Sequence, residues 1–302
     1  MTTVRYLGLD LGGTNIKSVV IEAGEPPRVV GSASAPTAAD SGPAGVIARM
    51  VTLGRNTIAT HGPVVGAGVG VPGLFDKDTG VVELFPNLPG AWPGHSMRAP
   101  LAAGLGVPVT LVNDARACTL AEGTVGAGQG CRTLVCVALG TGVGGGIMID
   151  GRLHLGAAGT AGEIGHQTVM PDGPPCGCGN RGCLESFTRA DVLARLGGKP
   201  TAEDVYAAAR AGEPRAVGAV ATVAHWLGIG LANVVTVLGP DRIVIGGGIA
   251  AAGELLLAPV REAVRARVTL VPTEHIQIVP AALGTAAGAI GAALAASAAA
   301  AV

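Results

Sequence analysis

His166, Cys176, Cys178 and Cys183 lie within eighteen positions and carry the donor atoms and spacing of a metal-ligand set. The stretch reads Glu163-Ile-Gly-His166, nine residues, then Cys176-Gly-Cys178-Gly-Asn-Arg-Gly-Cys183-Leu-Glu185. Gly177, Gly179 and Gly182 let a short loop bring ligands together without a core, and imidazole plus thiolates is a tetrahedral zinc set. A disulfide with one thiol left over competes with it. Zinc uses all four groups and is the expectation. Buried packing thiols are the weaker reading, because such residues have no reason to crowd on a polar, Gly-rich loop. Glu163 and Glu185 bracket the cluster. Not being needed as ligands, they are candidates for gripping a polar substrate.

Two other stretches could handle phosphate. Asp10-Leu-Gly12-Gly13-Thr14 follows an apolar run and precedes Lys17. Glycines admit backbone angles that other residues resist, and exposed amides beside Thr14 and Lys17 could cradle a phosphate. Asp10, at a strand end, could hold a hydrated magnesium ion. Leu139-Gly140-Thr141-Gly142-Val-Gly repeats the pattern, with Gly140 standing 128 residues beyond Gly12. One Gly-Gly hairpin is usually only a turn. Two, each opening one half of the chain, suggest a duplicated architecture whose loops hold a nucleotide's phosphates from both sides. Asn113-Asp114 ends an apolar strand, although Asp114 taken alone is explained as a helix N-cap. Gly73 follows Pro72 in a turn, Asn87 sits in a Pro-rich loop, and Gly246-Gly247-Gly248 would let a flat ring or sugar lie against backbone.

The elements that must position these residues alternate between strand and helix. Residues 4–21 read as two strands around a tight turn, and 133–150 as a second such hairpin. Segments 64–73, 107–114, 242–246 and 276–279 read as further strands. Residues 115–122, 189–196, 202–211 and 216–235 read as helices, and a last helix opens near 282–288. No Gly-x-Gly-x-x-Gly with an acidic residue about 20 positions on follows the first strand, which disfavours a dinucleotide-binding fold.

The chain has 302 residues, enough for two domains at roughly 150 residues each. It is 49% hydrophobic, and its 14% of charged residues is far below the roughly 25% of an average protein. A net charge of -1 offers no basic field for nucleic acid or a membrane surface. With 50 Gly against two Trp, two Tyr and three Phe, close packing falls to Ala and Gly. Cys118, Cys131 and Cys136 are scattered in apolar surroundings and read as core thiols. No signal peptide is recognisable, so a cytoplasmic location is expected, which favours metal over disulfide at the cluster. Residues 281–302 carry no charge and are long enough to span a bilayer, but are nearly all Ala and Gly. They read as a buried helix ending in a frayed tail.

Taken in order, these motifs, with Gly-Gly-Gly-Ile-Ala at 246–250 and Leu-Gly-x-x-Ala-Gly at 283–288, resemble the ROK family of sugar kinases and regulators along essentially the whole chain. The resemblance is to its bacterial glucokinases. It implies an α/β, actin-like ATPase (ribonuclease H-like) fold: two similar α/β domains with an interdomain active-site cleft. The small domain would be residues 1–125 and the large one 126–302, with the zinc loop at 166–183 and the final helix, 284–302, packing back toward the small domain. The implied activity is magnesium-dependent transfer of the ATP γ-phosphoryl group to the 6-hydroxyl of a hexose. Asp114 would be the catalytic base. Gly73, Asn87, Asn113, Asp114, Glu163, His166 and Glu185 would hold the sugar. Asp10, Gly12, Gly13, Thr14, Lys17, Gly140, Thr141, Gly142, Gly247 and Gly248 would hold the nucleotide. His166, Cys176, Cys178 and Cys183 would bind a structural zinc. The expected partners are a hexose and ATP, with no nucleic acid or membrane, in a homodimer or homotetramer. The sugar could also be mannose, fructose, allose or an N-acetylhexosamine, and the donor polyphosphate. Sugar-sensing repressors of the family carry a helix-turn-helix before the kinase-like part, and a first loop at Gly12 leaves no room for one, so that reading is disfavoured.

Overall fold

A computed structural model describes residues 3–86 and 88–300. Its strands are β1 (Arg5–Leu11), β2 (Asn15–Glu22), β3 (Arg28–Pro36), β4 (Gly66–Val71), β5 (Leu74–Phe75), β6 (Val82–Leu84), β7 (Val109–Asn113), β8 (Thr133–Leu139), β9 (Val143–Ile149), β10 (Arg152–Leu153), β11 (Arg242–Gly246) and β12 (Gln277–Pro280). Its α-helices are α1 (Gly42–His61), α2 (Arg98–Leu105), α3 (Asp114–Val125), α4 (Glu185–Thr188), α5 (Ala190–Gly197), α6 (Ala202–Arg210), α7 (Pro214–Leu238), α8 (Glu254–Arg265) and α9 (Ala287–Ala299). Two compact units result: Met1–Val125 with Thr285–Val302, and Gly126–Gly284.

In the first unit the sheet runs β3-β2-β1-β4-β7. The β1–β2 and β2–β3 pairs are antiparallel, and β1–β4 and β4–β7 are parallel. Side chains alternate across a strand, and parallel strands need cover on both faces. On β1, Leu7 and Leu9 point toward Gly54 of α1, whereas Gly8 and Asp10 point toward α9. On β4, Gly68 and Gly70 share that second face and leave it without side chains. A Cβ on Gly8 would fall 1.9 Å from the Ala289 carbonyl oxygen, and one on Gly68 would fall 1.7 Å from that of Ala292. Backbone therefore touches backbone, which explains an Ala-rich α9 that is buried along most of its length. Gly291 meets the Ala117 carbonyl of α3 in the same way.

The second unit repeats the plan with the order β10-β9-β8-β11-β12. Its first two pairings are again antiparallel and its last two parallel. Its core gathers around α7 and α8 with Val135, Val137, Ile243 and Ile245 from the sheet. Among the described residues α7 is long and apolar enough to cross a bilayer, yet half of its most apolar window is buried in that core.

Several expectations need correction. Helix α3 continues to Val125, three residues past the expected end, and α7 to Leu238, where Gly239 takes a left-handed φ and stops it. The last helix opens later than its sequence suggests, through a 3-10 turn at Gly284–Ala286. Its tail, residues 301–302, lies outside the described residues. Of the three scattered cysteines, Cys136 is buried, while Cys118 and Cys131 are partly exposed.

Candidate active site

In the first unit the site is built at the carboxyl ends of β1, β4 and β7. Asn113 closes β7 and its side chain works in two directions. Its Nδ2 donates to the Gly73 carbonyl at 3.2 Å, while its Oδ1 accepts from the amides of Ala115 at 3.1 Å and Arg116 at 3.3 Å. Asn113 is therefore the cap of α3. Asp114 is the first helical residue, with its Oδ1 taking the Ala115 amide at 2.7 Å. Gly73 sits at φ 76°, a left-handed value that suits glycine, and a Cβ there would fall 2.1 Å from the Leu84 carbonyl oxygen. Asn87 lies outside the described residues.

Asp10, the last residue but one of β1, lies against the start of α9. A Cβ on Gly288 would lie 2.6–2.8 Å from its carboxyl atoms, and one on Gly70 would lie 3.5 Å from Oδ1. Burial pushes the Asp10 pKa up to about 6; the negative charge of Asp114 adds to the rise and Lys17 opposes it. The two carboxylates repel in the ligand-free protein, and a divalent cation held by Asp10 would relieve that. Lys17, opposite Asp10 in the β1–β2 register, sends Nζ to the Thr285 carbonyl at 2.9 Å. Cys118 is close by. Burial and the carboxylates of Asp10, Asp114 and Glu122 push its thiol up to about 12, so it stays protonated at neutral pH.

The β1–β2 turn departs from expectation in one respect. Neither Gly12 nor Gly13 takes a left-handed φ. Gly12 is needed because its amide closes the turn on the Asn15 carbonyl at 3.1 Å, and a Cβ would lie 2.8 Å from that oxygen. Thr37, at the far end of β3, holds the turn from outside: its hydroxyl donates to the Gly12 carbonyl and its amide to that of Thr14. Gly13 and Thr14 are exposed.

The second unit carries the Cys/His cluster. The four ligand atoms of His166, Cys176, Cys178 and Cys183 lie within 4.8 Å of one another. His166 Nδ1 is 3.6 Å from Cys176 Sγ, and Cys178 Sγ is 3.7 Å from Cys183 Sγ. A tetrahedron with metal–sulfur bonds of about 2.3 Å has edges of about 3.8 Å, slightly shorter toward nitrogen. The donor set therefore fits a tetrahedral ion, and the sulfur spacing is nearly twice an S–S bond. The knot is tied by local backbone. The Cys176 amide donates to the Asn180 carbonyl at 2.8 Å, and Gly179 and Gly182 take left-handed φ values of 90° and 67°. Backbone bonding at Asn180 pulls the Cys178 thiol down, while burial and the neighbouring thiols push Cys183 up to about 12.

Glu163 precedes a 3-10 turn, Ile164–His166, whose last residue is His166. His166 presents Nδ1 to the cluster, leaving Nε2 on the side of Glu163, whose Oε2 is 4.0 Å away. Glu185, first residue of α4, bonds the Val143 amide through Oε2 at 2.8 Å. The turn Gly140-Thr141-Gly142 lies just before that amide, again without left-handed glycines. Gly247, at φ 88°, packs its Cα against Leu139 at the end of β8, so that the β11 turn and the β8–β9 turn are neighbours. A Cβ on Gly248 would meet nothing within 4 Å.

Residue types alone did not single out Gly288, Gly165, Thr37 or the Val143 amide. The only local hint was glycine inside quoted motifs, at Gly165 and Gly288.

Comparison with known proteins comes down to one group. The sequence pattern of the ROK family matches residues 6–299. A protein of Halalkalibacterium halodurans named glucokinase is 35% identical over 311 aligned positions, covering 95% of this chain and 93% of its own. A crystal structure of a ROK hexokinase from Thermus thermophilus superposes with a TM-score of 0.85 at 33% identity, over 98% of this chain and 99% of that one. A ROK family glucokinase from Streptomyces griseus, solved in complex with glucose and AMPPNP, gives 0.83 at 31% identity, over the same shares.

Proposed function

Because the chain belongs to the ROK family, with the actin-like ATPase fold of its solved relatives, we propose that it is an ATP-dependent hexose kinase. It transfers the γ-phosphoryl group to the 6-hydroxyl, with glucose as the first substrate. One observation carries the chemical part of this reading. Asn113 caps α3, which leaves Asp114 beside Asp10 as a carboxylate that helix capping does not require.

Phosphoryl transfer is mostly positioning and charge stabilisation. In this reading Asp114 accepts the proton of the 6-hydroxyl as its oxygen attacks phosphorus. Asn113, Glu163, His166, Glu185 and Gly73, with Asn87, hold the remaining hydroxyls. The amides and hydroxyls of Gly12 to Thr14 and Gly140 to Gly142 take the phosphates, with Lys17 nearby. Gly247 and Gly248 accept the flat face of the nucleoside. Asp10 holds hydrated magnesium, which neutralises phosphate charge when bound.

The metal at the Cys/His cluster is proposed to be zinc. Three thiolates and one imidazole close its shell, so its part is structural. His166 then serves twice, with Nδ1 to the metal and Nε2 to a sugar hydroxyl, and the metal fixes the ring for that second task. A cytoplasmic location, where six thiols stay reduced, belongs to the same proposal, as does a homodimer or homotetramer.

The test is an assay of ADP release over glucose, mannose, fructose, allose, N-acetylglucosamine and N-acetylmannosamine. Glucose is expected to give the highest kcat/KM. A different leading hexose removes glucose and keeps the kinase. No sugar-dependent release, with ATP or polyphosphate, removes the kinase and leaves a sugar-binding regulator.

A further inference from the structure

We propose that Glu185 is a positioning residue for the nucleotide: it ties the Cys/His loop to the β8–β9 turn and holds the phosphate-facing amides of that turn in place. This rests on the reading of Gly140 to Gly142 as a phosphate turn. All the groups involved belong to the second unit.

Val143, the first residue after the turn, is the node. Its amide donates to Glu185 Oε2 at 2.8 Å. Its carbonyl lies beneath Gly165 of the 3-10 turn, where a Cβ would fall 2.1 Å from that oxygen. The other carboxylate oxygen, Oε1, is 3.7 Å from Cys176 Sγ. A second bond grips the same turn two residues past the end of α4, from the Ala190 amide to the Gly140 carbonyl at 2.9 Å. Helix α4 is thus bracketed by one bond to each side of the β8–β9 turn. A Cβ on Gly142 would lie 2.7 Å from Glu185 Oε2, so glycine there keeps the carboxylate's place open.

The physical consequence follows from what a short turn must do. Amides that bind an anion act only when preorganised, and a turn rich in glycine, held within itself by the bond from the Gly140 amide to the Gly142 carbonyl at 2.9 Å, has conformational freedom that an outside contact can restrict. A charge-assisted bond to the amide at one end supplies the constraint. Because the carboxylate leaves a residue two positions after Cys183, the metal loop fixes its root. The structure of the Cys/His loop is thereby transmitted to the nucleotide turn, and not only to the sugar-facing Glu163 and His166.

The experiment uses the full chain with its metal content measured in each variant. AMPPNP affinity is determined by calorimetry without sugar, and amide exchange is followed in the peptide spanning 139–144. Glu185→Ala is expected to weaken AMPPNP about tenfold and to speed exchange in that peptide at unchanged metal content. Glu185→Gln keeps a carbonyl acceptor for the Val143 amide and is expected to restore both close to wild type. Should Glu185→Ala not fold, Glu185→Asp, one methylene shorter, carries the same test with the same expected direction. Unchanged AMPPNP affinity and exchange, with only glucose affinity lost, would overturn the proposal and leave Glu185 as a sugar contact. A wild-type protein that binds glucose but no AMPPNP would overturn the phosphate-turn reading itself, which the exchange arm distinguishes.

Discussion

Asn113 and Asp114 divide work that one residue often does alone. Asn113 caps α3 and anchors Gly73; Asp114 opens the helix with its carboxylate near Asp10. Asp114→Asn should therefore fold normally and keep its hexose affinity. Its turnover number should fall by roughly two to four orders of magnitude, the worth of a general base, in steady-state kinetics. Asp10 supplies a second prediction, with a definite sign. Its folded pKa of about 6 lies above the ordinary 3.8, so the folded protein holds this proton more tightly than the unfolded chain. The favourable contribution is fully present below about 3.8 and is lost as pH rises to about 6. Asp10→Asn should then flatten this part of the stability profile and stabilise the ligand-free protein at pH 7 by about 3 kcal/mol, while activity collapses. Thermal unfolding between pH 4.5 and 7 without magnesium or nucleotide reads this directly. Loss of stability at pH 7 would contradict it.

Among the elements, the alternation of glycine with Ala67 and Val69 in β4 was visible as sequence but not its purpose. A bare strand face is needed only because α9 lies on it, and that helix comes from the other end of the chain. Gly68→Ala places a Cβ 1.7 Å from a backbone oxygen that cannot move aside, so it should cost about 3 kcal/mol and lower the unfolding midpoint by several degrees. Local motifs were legible where chemistry and spacing coincide: both phosphate-type hairpins, the Asn-Asp strand end and the Cys/His loop. Contacts distant in sequence were not, such as Gly288 under Asp10 or Gly165 over Val143. Helix α1 also gave little signal, since Gly45, Gly54, Thr52, Thr57 and Thr60 are poor helix formers and packing against β1 to β3 stabilises it instead. The Cys/His loop yields its own prediction. Purified protein should carry one zinc per chain, and Cys178→Ser should lose it. A stoichiometry near zero in active protein would remove the metal from the account.

At the scale of the whole chain, one topology is used twice. Each half opens with a hairpin whose turn faces phosphate in the proposed reaction, and each continues into two parallel strands, with further site groups after β4, β7 and β11. The duplication was readable from the two hairpins. The final helix returns to the first unit, where it covers β1 and β4 and closes on Asp10. A composition of 50 Gly and 14% charged residues suits such a molecule, since the site depends on backbone approaching backbone more than on a charged surface. The central claim is transfer of phosphorus to one defined oxygen under the control of one carboxylate. Phosphorus NMR of glucose incubated with ATP, magnesium and the enzyme tests it most directly. The account predicts glucose 6-phosphate as the product of the wild type and only a trace of it with Asp114→Asn in the same time. A product phosphorylated elsewhere, or equal yields from the two proteins, would contradict it.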